Sequence, residues 1–301
     1  MTRVLVTGAD GFVGRHLVAH LTDSGDDVRG IDREHDVTNA DSMHEIFDEV
    51  RPEVTYHLAA LTHVGDSWQN ASEFTRVNVV GTQRVLDASF AVVPDSTTVV
   101  VSSSEVYGVV REEDQPLRES FRVAPANPYS SSKVEAEHVA HEALRTRGQR
   151  VIVARPFNHL GPGQASTFVV PALVTRLLDA SASRDGEIRV GDLSTRRDFS
   201  DVRDVVRAYR LLATLGVTGE IYNVASGHDV AINDIAEQLV HRIAPNVRLV
   251  VDPTLLRPIE VPVSRGSFEK LHLATGWSPL IPLHVSLSDV IDDLMARRRE
   301  M

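Results

Sequence analysis

Residues 7–14, Thr-Gly-Ala-Asp-Gly-Phe-Val-Gly, join a β-branched run to an amphipathic helical one, and no other stretch limits the fold as strongly. Arg3 to Thr7 reads as a short strand that stops at Gly8, and Phe12 to Leu21 carries apolar residues at helical spacing. Glycines at 8, 11 and 14 permit a tight turn and let the backbone approach a pyrophosphate at the helix N-terminus. A glycine triplet alone is weak evidence, because turns use glycine freely. Its position after the first strand and at the mouth of a helix makes Gly8, Gly11, Phe12, Val13 and Gly14 a candidate dinucleotide loop.

The segments that follow repeat the same alternation. Val28 to Asp32, Val54 to Ala59 and Thr97 to Ser103 read as strands, separated by helical stretches around Ala40 to Val50 and Thr75 to Phe90. The later two strands are largely apolar and β-branched, without charged residues, which indicates a parallel sheet covered on both faces. The fold class is therefore α/β, a Rossmann doubly wound parallel sheet with a smaller C-terminal substrate-binding lobe. After Val151 to Pro156 the texture changes to Gly- and Pro-rich loops, as at Gly161-Pro162-Gly163, Arg257-Pro258 and Trp277-Ser278-Pro279. Residues 1–155 are expected to bind the dinucleotide and 156–301 mainly the substrate. Segments near 199–225 rejoin the sheet, namely Asp201 to Leu215 and Tyr222 to Val224.

Asp32 closes the second strand 18 residues after Gly14, where a carboxylate accepts hydrogen bonds from both hydroxyls of an adenosine ribose and repels a 2′-phosphate. That favours NAD(H), although Arg33 next to it offers a cation to NADP(H). Asp36 and Val37 either meet the adenine or cap the following helix.

Composition narrows the partners. The 301 residues carry 42% hydrophobic residues and a formal charge of −11, which disfavours a nucleic-acid or membrane-surface role. No apolar run approaches the ~20 residues of a membrane span, and the first strand begins at Arg3, so the expected address is the cytoplasm. The absence of cysteine excludes disulfides and thiolate nucleophiles, and the 13 scattered histidines lack zinc-site spacing, so no metal is expected.

Tyr129 and Lys133 stand four residues apart, which on a helix puts a phenol and an ammonium on one face. A phenol loses its proton near pH ~10, and a neighbouring cation with a bound nicotinamide is expected to lower that value toward working pH. Such a pair also occurs by chance. The rest of the chain gives it context.

His57-Leu58-Ala59-Ala60, Asn78-Val79-Val80-Gly81-Thr82, Ser102-Ser103-Ser104-Glu105-Val106-Tyr107-Gly108 and Tyr129-Ser130-Ser131-Ser132-Lys133 follow the glycine loop in the order seen in extended short-chain dehydrogenases/reductases. The chain resembles the nucleotide-sugar epimerase/dehydratase branch of that superfamily. Arg155-Pro156-Phe157-Asn158-His159-Leu160-Gly161-Pro162-Gly163-Gln164, the segment from Gly191 to Asp204, and Arg257-Pro258-Ile259-Glu260-Val261-Pro262 extend the likeness to the second lobe. There it is similar to GDP-mannose 4,6-dehydratases and GDP-4-keto-6-deoxy-mannose reductases.

The resemblance implies Tyr129 as acid/base, Lys133 as its electrostatic partner and nicotinamide-ribose ligand, and Ser103 as the hydroxyl on the sugar oxygen, with Ser102 and Ser104 as alternatives. It adds Leu58, Ala59 and Ala60 to the cofactor site and Ser104 and Asn158 to the substrate site. Arg197 and Arg257 are candidates for a substrate diphosphate, since paired guanidinium groups recognise phosphate bidentately. Asp198, Asp201 and Asp204 are expected to tie down a loop, and Trp68 and Trp277 to pack. A dimer through the helices carrying Asn78 to Phe90 and Tyr129 to Leu144 is also implied.

Glu105 stands where 4,6-dehydratases place a glutamate that removes the C5 proton. Three features point instead to a reductase: a glycine loop unlike the dehydratases' Thr-Gly-Ile-Thr-Gly-Gln-Asp-Gly, Ser103 in place of their usual threonine, and the short chain. The expected reaction is reduction of the C4 keto group of a GDP-4-keto-6-deoxy-hexose. A 4,6-dehydratase or C4 epimerase with retained cofactor is the alternative, and a non-catalytic dinucleotide sensor a remote one.

Overall fold

The computed structural model describes residues 1–183, 186–255 and 261–300. In the first half, strands and helices alternate: β1 (Arg3–Thr7), α1 (Phe12–Asp23), β2 (Asp27–Ile31), α2 (Ala40–Val50), β3 (Val54–His57), the turns α3 (Val64–Ser67) and α4 (Ala71–Phe74), α5 (Gly81–Val92), β4 (Thr97–Val101), α6 (Pro128–Arg147) and β5 (Arg150–Pro156). The chain continues through β6 (Asn158–Leu160), α7 (Val169–Ser183), β7 (Glu187–Val190), β8 (Arg196–Asp201), α8 (Val202–Leu215), β9 (Ile221–Val224), β10 (Asp229–Ala231), α9 (Ile232–Ile243), β11 (Arg248–Val251), β12 (Val263–Ser264), α10 (Glu269–Thr275) and α11 (Leu283–Glu300).

Six strands make a parallel sheet in the order β2-β1-β3-β4-β5-β9. Alternate residues face opposite helical layers, as period-two geometry requires. Val4 and Val6 pack with Leu17 and Leu21 of α1 and Val205, Tyr209 and Leu212 of α8. Leu5 and Ile31 pack with Met43, Ile46 and Phe47 of α2 and Val85 of α5. Burial on both faces explains why the central strands β3 and β4 are mostly apolar and carry no acidic or basic residue other than the buried His57. The strand order reverses between β1 and β3, which opens a crevice at their carboxyl ends.

The later chain does return to this sheet. β9 pairs with β5 through Tyr222 and Ala154, and α8 covers one face. Leu271 of α10 and the fully buried Trp277 join the same core, a return that the sequence does not announce. Trp277 packs as expected and donates from Nε1 to the Asp204 carbonyl at 3.0 Å, whereas Trp68 is 48% exposed and is no core residue. The strands expected to reach Ala59 and Ser103 stop at His57 and Val101, leaving the motif residues beyond them in loops. The helix expected from Thr75 begins at Ala71 and passes through a π-turn at Thr75–Val80.

A second core lies among α7, α9, α11 and the strands β7 and β8, with Leu173, Leu177, Ile235, Leu239, Leu287 and Ile291 at its centre. β8 pairs with β10, β12 and β6, and β6 and β10 follow directly on β5 and β9. This small sheet therefore stands at the carboxyl edge of the large one. Asp198, Asp201 and Asp204 lie on β8 and α8, not in a loop, and each ties elements together. Asp198 accepts from the Ser226, Gly227 and Gly266 amides, Asp201 caps α8 and accepts from Ser286 Oγ, and Asp204 accepts from the Leu280 and Ile281 amides.

Candidate active site

The glycine loop lines one wall of the β1/β3 crevice. Gly8 has φ +73°, and a Cβ added there would lie 2.8 Å from the Ala59 nitrogen; a Cβ at Gly14 would lie 2.1 Å from the Gly8 carbonyl oxygen. The cradle is thus closed to any side chain at both positions. Gly11 caps α1 without a side-chain acceptor, so the first-turn amides of Phe12 and Val13 are available to an anion. Asp32 sits just past β2, and its carboxylate accepts from the Asp10 amide of this loop at 3.1 Å and from its neighbour's amide, Arg33 N–H, at 2.9 Å. The guanidinium-bearing Arg33 is exposed. These residues fit a dinucleotide: a side-chain-free cradle at a helix N-terminus, with a carboxylate where the adenosine ribose would lie.

Asp36 accepts from Thr38 and pairs with Arg76 at 3.3 Å, and the Thr38 amide is the main cause holding its carboxyl below the usual range. It does not cap α2, because Asn39 does so through Oδ1. Val37 is buried against Gly81. On the other wall, Leu58, Ala59 and Ala60 are half-buried in the loop after β3.

One chain of hydrogen bonds joins the two walls to the next helix. The Ala59 amide donates to Thr7 Oγ1 at 3.2 Å, and Thr7 meets His57 Nδ1 at 2.8 Å; His57 Nε2 meets Thr82 Oγ1 at 3.0 Å, and Thr82 donates to the Asn78 carbonyl at 2.6 Å. Because each hydroxyl has one proton, His57 must accept at Nδ1 and donate from Nε2. Burial lowers its pKa to about 3, so it stays neutral. Asn78, in the π-turn, exchanges two hydrogen bonds with Leu61 and donates to Ser132 Oγ, which donates to the Tyr129 carbonyl. The end of β1 before the glycine loop and the turn carrying Tyr129 are thereby one fully partnered network.

Tyr129 is the second residue of α6, whose start is fixed by Pro128 at N1 and a capping box between Asn127 and Ser130. The phenol is buried and shares a hydrogen bond with Ser103. Burial pushes its pKa up to about 12, opposed by Ser103 and assisted by the Glu105 charge. The direction is opposite to the lowering expected of Lys133, because loss of hydration is the largest influence on this phenol and Ser103, not Lys133, is what opposes it. Lys133 is buried, donates to the Val101 carbonyl at 2.9 Å, and is lowered to about 8 by desolvation against the opposing charge of Glu137.

Among the three serines, Ser103 is the one on Tyr129; its Oγ also accepts from the Glu105 amide, capping the turn Ser104–Tyr107. Ser102 is committed to Glu137, and Ser104 is half-buried. Glu105 faces Tyr129 and accepts from Asn127 Nδ2 at 3.4 Å.

Of the second-lobe candidates, Asn158 is exposed on β6, opposite Phe199 of β8, and Arg197 is two residues before Phe199 on that strand. Arg197 is largely buried and donates to the Val261 carbonyl at 2.6 Å. Arg257 lies outside the described residues. His159 is structural: Nδ1 meets the Phe157 carbonyl and the ring stacks on Phe12. Residue reasoning had no role for Asn127, Glu137 or the guanidinium of Arg155. Glu137 was detectable only as the i+4 neighbour of Lys133. Among the described residues no group of side chains could hold a metal ion, and no helix is long and apolar enough to cross a membrane.

The NAD dependent epimerase/dehydratase family model matches residues 4–225. The chain is 36% identical over 301 residues to the GDP-6-deoxy-D-mannose reductase of Pseudomonas aeruginosa, covering 99% of both. It is 31% identical over 274 residues to the GDP-6-deoxy-D-talose 4-dehydrogenase of Aggregatibacter actinomycetemcomitans, covering 89% of this chain and 90% of the relative. A solved structure of RMD from Pseudomonas aeruginosa complexed with NADPH matches with a TM-score of 0.91 at 35% identity, over 99% of this chain and 100% of that one. The chain therefore belongs to the NAD-dependent epimerase/dehydratase family.

Proposed function

We propose that this chain reduces the C4 keto group of a GDP-4-keto-6-deoxy-hexose, with Tyr129 as proton donor. The observation that carries the reading is a buried, protonated phenol on Ser103, one helical turn from Lys133, in a chain that matches a GDP-deoxysugar reductase from end to end. The bound dinucleotide, held by the glycine loop, Asp32 and the loop after β3, would supply a hydride to the sugar carbon. Ser103 and Tyr129 hydroxyls hold the sugar oxygen. As the C4=O bond becomes C4–O, negative charge grows on that oxygen and the Tyr129 proton moves to it. Lys133 offsets the phenolate left behind, which is reprotonated from solvent.

Asp32 favours NAD(H), while the exposed Arg33 and the NADPH-bound relative support NADP(H) as the second choice. In this reading residues 1–155 with the 199–225 return grip the dinucleotide. Asn158, Arg197 and Arg257 grip the sugar nucleotide, and a homodimer forms through α5 and α6 in the cytoplasm. Glu105, held by Asn127, supports the serine loop.

A dehydratase or epimerase reading is kept because Glu105 faces Tyr129 and the chain is 29% identical to a Neisseria meningitidis dTDP-glucose 4,6-dehydratase. Cofactor stoichiometry separates the two. The reductase consumes one NAD(P)H per sugar, followed by loss of cofactor absorbance. Turnover of a nucleotide hexose with no net change in cofactor would replace it with the second reading. Thermal-shift titration with guanosine, uridine and thymidine diphosphates tests the base, GDP being expected to give the largest shift.

A further inference from the structure

Glu137 is a buried carboxylate outside the reacting groups, yet it bonds both the serine loop and β5 and stands one helical turn from Lys133. Its side chain is 4% exposed, as is that of Arg155, and the two form a bidentate pair, Nε to Oε1 at 2.8 Å and Nη2 to Oε2 at 2.6 Å. Ser102 Oγ, next to Ser103 in sequence, donates to the same Oε1. Glu137 is also one helical turn beyond Lys133 on α6. Arg155 in turn donates to Tyr107 Oη, lies over that ring at 4.9 Å, and Tyr107 donates to Asn223 of β9.

We propose that Glu137 is the positioning residue of this active site: it anchors the serine loop to the catalytic helix through Ser102 and keeps the Lys133 side chain charged. Burying an ion pair is costly, and an apolar pair of similar volume would hold α6 on β5 as well. What an apolar pair cannot supply is an acceptor for Ser102 and a negative charge beside a desolvated ammonium. The groups facing Lys133 leave this task to Glu137. On its own helix stand Tyr129, protonated, and Glu137; on β3 stands His57, neutral; Glu105 faces Tyr129 from the serine loop, and Arg155 of β5 is engaged by Glu137 itself. Glu137 is the one named group whose charge raises Lys133 against burial.

The inference rests on the proposed catalytic roles of Lys133 and Ser103, and its first test does not need turnover. Lys133 and Lys270 are the only lysines of the chain, so protein labelled at lysine Cε gives two side-chain resonances, assigned by Lys270→Arg. In the unaltered protein the Lys133 resonance is expected to titrate at about 8. In Glu137→Gln it moves about one pH unit lower, and Glu137→Asp restores it.

In turnover, the alkaline fall of kcat moves in step with that titration, and KM for the sugar changes little. Ser102→Ala keeps the charge and cuts the anchor: kcat falls about tenfold with the lysine titration unmoved. A folded Glu137→Gln protein with an unshifted Lys133 overturns the proposal, as does a Ser102→Ala protein with full kcat. Should Glu137→Gln not fold, Ser102→Ala decides. Failure of the unaltered protein to reduce the keto sugar would overturn the reaction assigned above while the resonance titration still judges Glu137.

Discussion

Replacing Tyr129 by Phe removes one oxygen from a buried site and leaves Ser103 Oγ with only the Glu105 amide as partner. The expected outcome is a loss of about 10²–10⁴ in kcat, with dinucleotide affinity, measured by fluorescence titration, unchanged. Because burial holds the phenol protonated up to about 12, the alkaline limb of the native pH profile belongs to Lys133, near 8, and activity falls as pH rises through that value. The glycine loop and the Tyr129–Lys133 pair were legible in the sequence because their meaning is local: a turn needs glycine at set positions, and four residues make one helical turn. The direction of the Tyr129 shift was not legible. It depends on how much water the fold removes, and that is decided by packing from segments distant in sequence, such as the Phe74 ring against Tyr129.

At the scale of elements, the site depends on how α6 is held against β5. Arg155→Met would leave the Glu137 carboxylate buried without its partner, at a cost of about 3–5 kcal/mol, measured as a lower midpoint in urea unfolding. The main strands and helices could be read from their periodicity. The π-turn at Thr75–Val80 could not, since nothing in Thr-Arg-Val-Asn-Val-Val distinguishes it from an α-helical stretch; it is set by the Asn78 contacts to Leu61 and Ser132. Short strands such as β10 and β12 were equally hidden, because pairing with β8 and not side-chain pattern makes them strands.

For the whole molecule, the two lobes are interleaved and not consecutive. The family match ends at residue 225, but Leu271 and Trp277 lie in the core of the large sheet. Residues 1–225 expressed alone are therefore expected to expose part of the face of α8, and to aggregate or bind a hydrophobic dye where the full chain does not. Return of the chain near 199–225 was foreseeable from the apolar character of Val202 to Leu215 and Tyr222 to Val224. Return at Trp277 was not, because one tryptophan in a Pro-rich loop carries no period.

The C-terminal helix has a comparable reach. Asp293 of α11 accepts from the Gly163 amide at 3.0 Å, and Arg15 of α1 donates to the Asp10 carbonyl and, at 3.4 Å, to the Gly163 carbonyl. The glycine loop is thus braced through Gly163 and Arg15 by a helix that belongs to the second core. Shortening α11 before Asp293 is therefore expected to loosen the glycine loop from a distance, although no residue of α11 belongs to that loop.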